Sequence, residues 1–331
     1  MQQQRQTGDA GPAFAYDRWR HRYAVLLAAA TVLLLAAGGL VTSTGSGLAV
    51  PDWPLSFGKI FPPMVGGVLF EHGHRLIAGT VGLMTLILSA WFARSERRSW
   101  VRRLSFAACG LVVLQGILGG VTVLLRLPPA VSVAHACLAQ AFFCVTVILA
   151  LATSRGFMGG DRVDGRSAAA VAPLAAAAAG LVYGQLILGA VMRHTGAGLA
   201  IPDFPLALGR LVPPLGSPEV AVHFAHRLGA LIVALAVGVL ALRVRRLGGP
   251  AQARGLAGPA RLAVLLVLVQ VTLGALTVLS RLSVVPATAH VVTGALLLAT
   301  TVVLGARCVP VRRARTAIVS AGAAMATGGM A

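Results

Sequence analysis

Acidic residues are scarce in this chain: nine Asp and Glu among 331 residues, with charged residues of both signs making up only 11%. A soluble chain of this length would suggest two domains and carry about 25% charge. Too few charges are present to coat two water-facing bodies. Cysteine is sparse as well. Cys109, Cys137 and Cys144 fall inside long apolar runs, and Cys308 sits at the inner end of the last one. No outer loop carries a pair, which argues against a disulfide framework. A cleavable leader is not expected either, because the first apolar run is long and lacks a small-residue cleavage site.

What is present is apolar and basic. Hydrophobic residues make up 57%, the mean hydropathy is +0.84, and 28 basic residues give a net charge of +19. Disordered basic tails lack such apolar content. A nucleic-acid-binding domain would need one contiguous basic face. A polytopic membrane protein fits both properties if the charges sit in its loops.

Apolar windows of roughly 20 residues, long enough to cross a bilayer, occur at about 23–42, 71–93, 104–125, 132–153, 170–193, 221–242, 262–280 and 284–306. Hydrocarbon demands that backbone polar groups pair internally, so these are read as helices. The basic residues then sort by side. Segments on one side hold Arg5, Arg18, Arg20 and Arg22; Arg94, Arg97, Arg98, Arg102 and Arg103; Arg155, Arg162 and Arg166; Arg243, Arg245, Arg246, Arg254 and Arg261; and Arg307, Arg312, Arg313 and Arg315. The other side holds only Lys59, Arg126, Arg193, Arg210 and Arg281. The positive-inside rule places the first set, and both termini, in the cytoplasm of a cell whose inner membrane the chain spans. The expected organisation is a cytoplasmic segment 1–22, a four-helix half 23–153, a cytoplasmic linker 154–169, a second four-helix half 170–306 and a cytoplasmic tail 307–331. The tail beyond about Val319 is rich in Gly and Ala and is expected to be disordered.

The two halves repeat. TGSGLAVPDWPLSFGKIFPP at 44–63 returns as TGAGLAIPDFPLALGRLVPP at 195–214, and QGILGGVTVLLRL at 115–127 returns as QVTLGALTVLSRL at 270–282. Four spans separate equivalent positions, so the repeats have the same orientation. The expected fold is an all-α membrane protein of eight transmembrane helices, arranged as two pseudo-symmetric parallel four-helix bundles.

Four of the eight histidines sit at equivalent places: His74 with His226, and His135 with His290. All four are expected in the opening turns of helices running from outside to inside, at one depth near the outer face. Neutral imidazoles on facing helices are a usual way to hold a haem iron from both axial sides. Polar residues inside a membrane are costly and tend to be functional. Zinc is the weaker reading, because no Cys–His cluster with short spacing is present. Among the remaining histidines, His72 points to a different face from His74 and reads as structural or interfacial. His21 reads as a surface residue, and His194 and His223 as non-catalytic.

Glu71 lies three residues before His74 and shares its helix face. It either satisfies the helix N-terminus or marks a chemical difference between the halves, because the equivalent residue is His223. Arg75 and Arg227 follow the candidate ligands; they suit haem propionates or snorkel to lipid headgroups. Asp52 and Asp203 are expected to fix loop geometry.

With TGSGLAVPDWP, the Glu71-x-x-His74-Arg75 element and the repeated His135, His226 and His290 in place, the chain resembles the haem A synthase family from about residue 24 to 308. That resemblance implies oxidation of the ring methyl of haem O to the formyl group of haem A, the cofactor of aa-type terminal oxidases. The methyl would be oxidised twice, and loss of water from the resulting diol would leave the aldehyde. The resemblance makes Glu71, His74 and His135 the catalytic set at the substrate haem. It makes His226 and His290 the ligands of a haem b, with Arg75 and Arg227 toward the cofactors. It also implies haem O synthase and terminal-oxidase assembly factors as partners, with a separate electron donor, the lipid bilayer as surroundings, no nucleic acid, and a homo-oligomer left open. Some members carry a cysteine pair in the first outer loop; residues 43–70 contain none, which places this chain in a cysteine-free branch. The competing readings are a dihaem b-type cytochrome that only transfers electrons, and a haem transporter or chaperone.

Overall fold

The computed structural model describes residues 16–159, 163–247 and 255–309. Arg5, Arg162, Arg254, Arg312, Arg313, Arg315 and the expected tail beyond Val319 lie outside the described residues. The described elements are α1 (Arg18–Ser43), α2 (Gly67–Ser95), α3 (Ser99–Leu124), α4 (Pro129–Ala152), a short α5 (Arg155–Gly159), α6 (Gly165–His194), α7 (Pro218–Arg245), α8 (Ala257–Leu279) and α9 (Val284–Cys308). All but α5 are long and apolar enough to cross a membrane, and the protein is an all-α, multi-pass membrane protein. Each expected span coincides with one of these helices.

Local chemistry sets the helix ends. The carboxylate of Asp17 accepts from the N–H groups of Trp19 and Arg20, and that of Asp164 from Arg166 and Ser167, satisfying donors that have no intrahelical partner. Ser217 caps α7, and Pro129 and Pro218 open α4 and α7, where a missing N–H costs nothing. The starts of α2, α4 and α7 lie before the expected ones, while α9 starts at the expected Val284. The four repeated histidines lie six to eight residues into their helices rather than in the opening turn. At 1.5 Å per residue that is roughly 9–12 Å from the helix start.

In the first half, α1 packs on α2 and α4, and α3 packs on the same two helices. In the second half, α6 packs on α7 and α9, and α8 on the same two. These neighbour relations are compatible with two four-helix units. The ligand-bearing helices, α2 with α4 and α7 with α9, are the diagonal pairs. The apolar centre of the first half is built from Leu27, Leu88, Phe92, Phe142 and Leu149. Its counterparts are clusters around Leu240, Leu256 and Leu304, and around Val233, Val237 and Leu297. Phe143 of α4 meets Ala295 and Ala299 of α9, with Val32 and Leu35 of α1 against them. Half of the apolar stretch of α9 is buried, against 11–28% in the other spans, because α9 also touches α1 and α4.

Candidate functional site

His226 on α7 and His290 on α9 face each other across the second half, ring centroids 6.4 Å apart and planes at 65°. With metal–imidazole bonds of about 2 Å, one ion between two rings holds their centroids roughly 6 Å apart. His74 on α2 and His135 on α4 take the equivalent diagonal positions and lie within electrostatic range of each other. Each ring rests on a glycine of the preceding span. A Cβ on Gly38, Gly119, Gly189 or Gly274 would fall 3.2, 3.2, 2.9 or 3.1 Å from Cε1 of His74, His135, His226 or His290. Only glycine lets the imidazole approach the neighbouring backbone this closely.

Glutamines complete three of these seats. Nε2 of Gln185 donates to the main-chain oxygen of His226 at 2.7 Å, and Nε2 of Gln115 to that of His135 at 3.0 Å. Nε2 of Gln270 lies 3.3 Å from Nε2 of His290. The sequence signal is Gln-x-x-x-Gly, present as QGILG, QLILG and QVTLG; histidine spacing alone does not find it. Nδ1 of His74 and His135 and Oε1 of Gln115 and Gln270 are buried without hydrogen-bond partners. Among the described residues no three His, Cys, Asp or Glu side chains gather as a metal site. Two imidazoles facing each other, as His226 and His290 do, would suit a haem iron, and the matching His74 and His135 keep Nδ1 unbonded; neither pair supplies the four ligands of structural zinc.

The loops before α2 and α7 are clasped to those helices. The Asp52 carboxylate accepts from Phe57 N at 2.7 Å and Gly58 N at 2.8 Å; Asp203 accepts from Leu208 N and Gly209 N, both at 2.8 Å. Phe57 and Gly58, like Leu208 and Gly209, have positive φ, which glycine tolerates at the second position of each turn. These bonds, with Gly58 and Gly209 foremost, hold both carboxyls below the ordinary aspartate range. Arg75 donates to the carbonyls of Asp52, Leu55 and Val50 and pairs with Glu71 at 2.6 Å. Arg227 donates to the carbonyls of Ile201, Asp203 and Leu206. In the structure both guanidiniums thus fasten loop to helix.

Glu71, 4% exposed, accepts the Val50 amide hydrogen at 2.8 Å. Nδ1 of its counterpart His223 lies 3.3 Å from the equivalent amide of Ile201 and 3.2 Å from the Ala197 carbonyl; the tautomer decides which it bonds. Acid and imidazole therefore occupy the same clasp. His72 is buried and bonded to Ser56 at 2.8 Å. His21 is partly buried against Thr153 Oγ1 at 3.2 Å, not a free surface residue. The turns before α4 and α9 hold Arg126–Leu127 and Arg281–Leu282 at positive φ, uncommon outside glycine. They aim Leu127 at Gly47 and Leu282 at Gly198 of the outer loops.

The halves meet where the C-terminal ends of α1 and α6 reach the N-terminal part of α9. Arg193 donates to Ser43 Oγ at 2.8 Å, and Thr288 to the same atom at 3.1 Å. His194 lies within electrostatic range of His135. The four cysteines are free.

Fold and site together define a multi-pass helical membrane protein with histidines repeated on two helix sets, one pair of them facing each other, beside clasped loops. Residues 66–302 match the family model COX15-CtaA, described as a cytochrome oxidase assembly protein, and the chain belongs to that family. It is 38% identical over 234 residues to a relative from Symbiobacterium thermophilum, covering 68% of this chain and 76% of that one. It is 32% identical over 318 residues to one from Methylobacterium radiotolerans (80% and 83% covered). It is 30% identical over 278 residues to one from Halalkalibacterium halodurans (78% and 86%). Each of these relatives is named a heme A synthase.

Proposed function

We propose that this protein is a haem A synthase, oxidising the ring methyl of haem O to the formyl group of haem A. The observation that supports the reading is the opposition of His226 and His290 at 6.4 Å, with His74 and His135 at the equivalent sequence positions of the first half, in a chain of this family. His74 and His135 hold the substrate haem, and His226 and His290 hold a haem b. When bound, that haem b supplies one-electron exchange. Glu71 and Arg75 keep the first outer loop closed on the substrate edge, where the buried carboxylate also stands ready to take up or hand on a proton. Asp52, Asp203 and Arg227 fix the loops that limit access of water. The apolar tail of haem O favours lateral entry from lipid. Both termini lie on the cytoplasmic side of the inner membrane, by the arginine distribution. Haem O synthase supplies the substrate, oxidase assembly factors take the product, and a separate donor or acceptor completes the electron balance.

Extraction of pigments from cells producing this chain together with haem O tests the reading. Formyl haem is the expected product; unchanged haem O would support a dihaem electron carrier or a haem carrier instead.

A further inference from the structure

Arg193, in the last turn of α6, is partly buried and makes one hydrogen bond, from Nη2 to Ser43 Oγ at 2.8 Å. No carboxylate among the described residues pairs with it. The other bases at this end of the helices are placed differently. Lys59, Arg126, Arg210 and Arg281 are exposed, and Arg75 and Arg227 bond the carbonyls of the loops they clasp. A guanidinium has five N–H donors. A partly buried one without an anion is costly, above all on a membrane helix.

The place of Arg193 in the fold identifies the anion it suits. It follows Gly189, which seats the His226 ring, by four residues, so the two share a face of α6 about 6 Å apart along the axis. His290 lies within electrostatic range of it. Four residues after the other three seating glycines stand Thr42, Val123 and Val278, so this cation belongs to the His226–His290 pair alone. Its partner comes from the first half. Ser43, the last residue of α1, accepts from Arg193 and also from Thr288 Oγ1 at 3.1 Å, two residues before His290. A hydroxyl accepts through two lone pairs and donates once. These two bonds fill the acceptor capacity of Ser43 and leave its O–H to donate beside the guanidinium.

A haem carries two carboxylates on one edge, and arginine binds a carboxylate through paired N–H bonds. We propose that Arg193, steadied by Ser43, is the carboxylate-binding residue of the second haem site and takes a propionate of the haem b held by His226 and His290. Arg227, next to His226 in sequence, does not serve this purpose, because the carbonyls of Ile201, Asp203 and Leu206 already hold its guanidinium. Residues of both halves build the site, so a bound propionate fastens the end of α1 to the second half. This inference rests on the haem b assignment made above for the second histidine pair.

The test uses the full-length protein in an H74A/H135A background, purified with its haem so that only the second site is read, and follows release of haem to apomyoglobin. R193Q is expected to release haem b about tenfold faster, the effect of one hydrogen bond to a charged group, and S43A about fivefold faster, the effect of one neutral bond. R193K should fall between R193Q and the background, because it keeps the charge and loses the fork. The dimethyl ester of haem b, loaded in place of haem b, identifies the group that Arg193 holds. The background should release the ester as fast as R193Q releases haem b, and R193Q should treat acid and ester alike. A role in packing alone would speed release of acid and ester equally when Arg193 is replaced. That result, or unchanged release of haem b from R193Q, overturns the inference; R193K and S43A carry the same comparison if R193Q misfolds. Absence of any haem from the H74A/H135A background defeats the haem b reading itself, a result distinguishable from the others.

Discussion

The Glu71 carboxylate takes the Val50 amide hydrogen at 2.8 Å while holding the Arg75 guanidinium at 2.6 Å, so one buried acid ties the first outer loop to α2. At the same place in the second half, His223 meets the Ile201 amide. The clasp is shared by the halves; the charge belongs to the first alone. Replacing Glu71 by His copies the second-half clasp and removes only the charge. E71H is expected to keep the 44–66 loop resistant to protease and to lose most haem A output. E71A should lose both, at a cost on the order of 1.5–3 kcal/mol per lost bond to a charged group. Limited proteolysis beside pigment analysis separates the two effects; full output from E71H would leave Glu71 as a fastener only.

The aspartates of the outer turns give a pH dependence of definite sign. Asp52 and Asp203 lie below the ordinary value of 3.8 because Gly58 and Phe57, or Gly209 and Leu208, donate to the ionised form. A carboxylate with a depressed folded pKa contributes its stabilisation in full above the unfolded pKa and loses it as pH falls through the folded one. Loop protection should be flat from neutral pH down to about pH 5 and decline below about pH 4. D52N should remove that acid limb for the first loop alone. Protease accessibility of each loop against pH, in reconstituted protein, measures this.

The glycines under the imidazoles should be intolerant of even one carbon. G189A and G274A place a Cβ 2.9 and 3.1 Å from Cε1 of His226 and His290, whereas a Cβ on Gly184, in the same helix as Gly189, meets nothing within 4 Å. Overpacking of this kind costs about 1–3 kcal/mol. The expected outcome is loss of the low-spin haem spectrum in G189A and G274A, with G184A like the parent.

The first outer loop rests Trp53 on α3, where a Cβ on Gly120 would fall 2.6 Å from Cδ2 of the indole. The second half pairs the smaller Phe204 with Ala275 at the equivalent positions. G120A should therefore release the first loop, and W53F/G120A should restore it, with a coupling of about 0.5–3 kcal/mol between the two sites. Additive effects in a double-mutant cycle of loop protection would contradict the pairing.

Much of this was legible in the sequence, and the reasons are particular. Eight apolar runs, the arginine sorting and the 44–63 with 195–214 repeat follow from composition and periodicity, and His74, His135, His226 and His290 stand out because they repeat. The clasp was only half legible. Apart from the Glu71 carboxylate that Arg75 pairs with, Arg75 and Arg227 bond main-chain carbonyls, which every residue carries, so the sequence does not name those partners. Glu71 and His223 differ in charge, which hides that both reach the same loop amide. Two of the three Gln-x-x-x-Gly frames were in the repeated segments, but their meaning depends on which helices are neighbours. The helix starts were misplaced because Pro129 and Pro218 open their helices ahead of the most apolar stretch.

The central claim is a division of labour: the first histidine pair handles the substrate, and the second holds a resident haem. Its most direct test is to purify H74A and H226A from cells supplied with haem O and to analyse bound and extracted pigments. The account predicts that H74A retains haem b and yields no haem A, while H226A loses the haem b spectrum. Normal haem A production by H74A would contradict it.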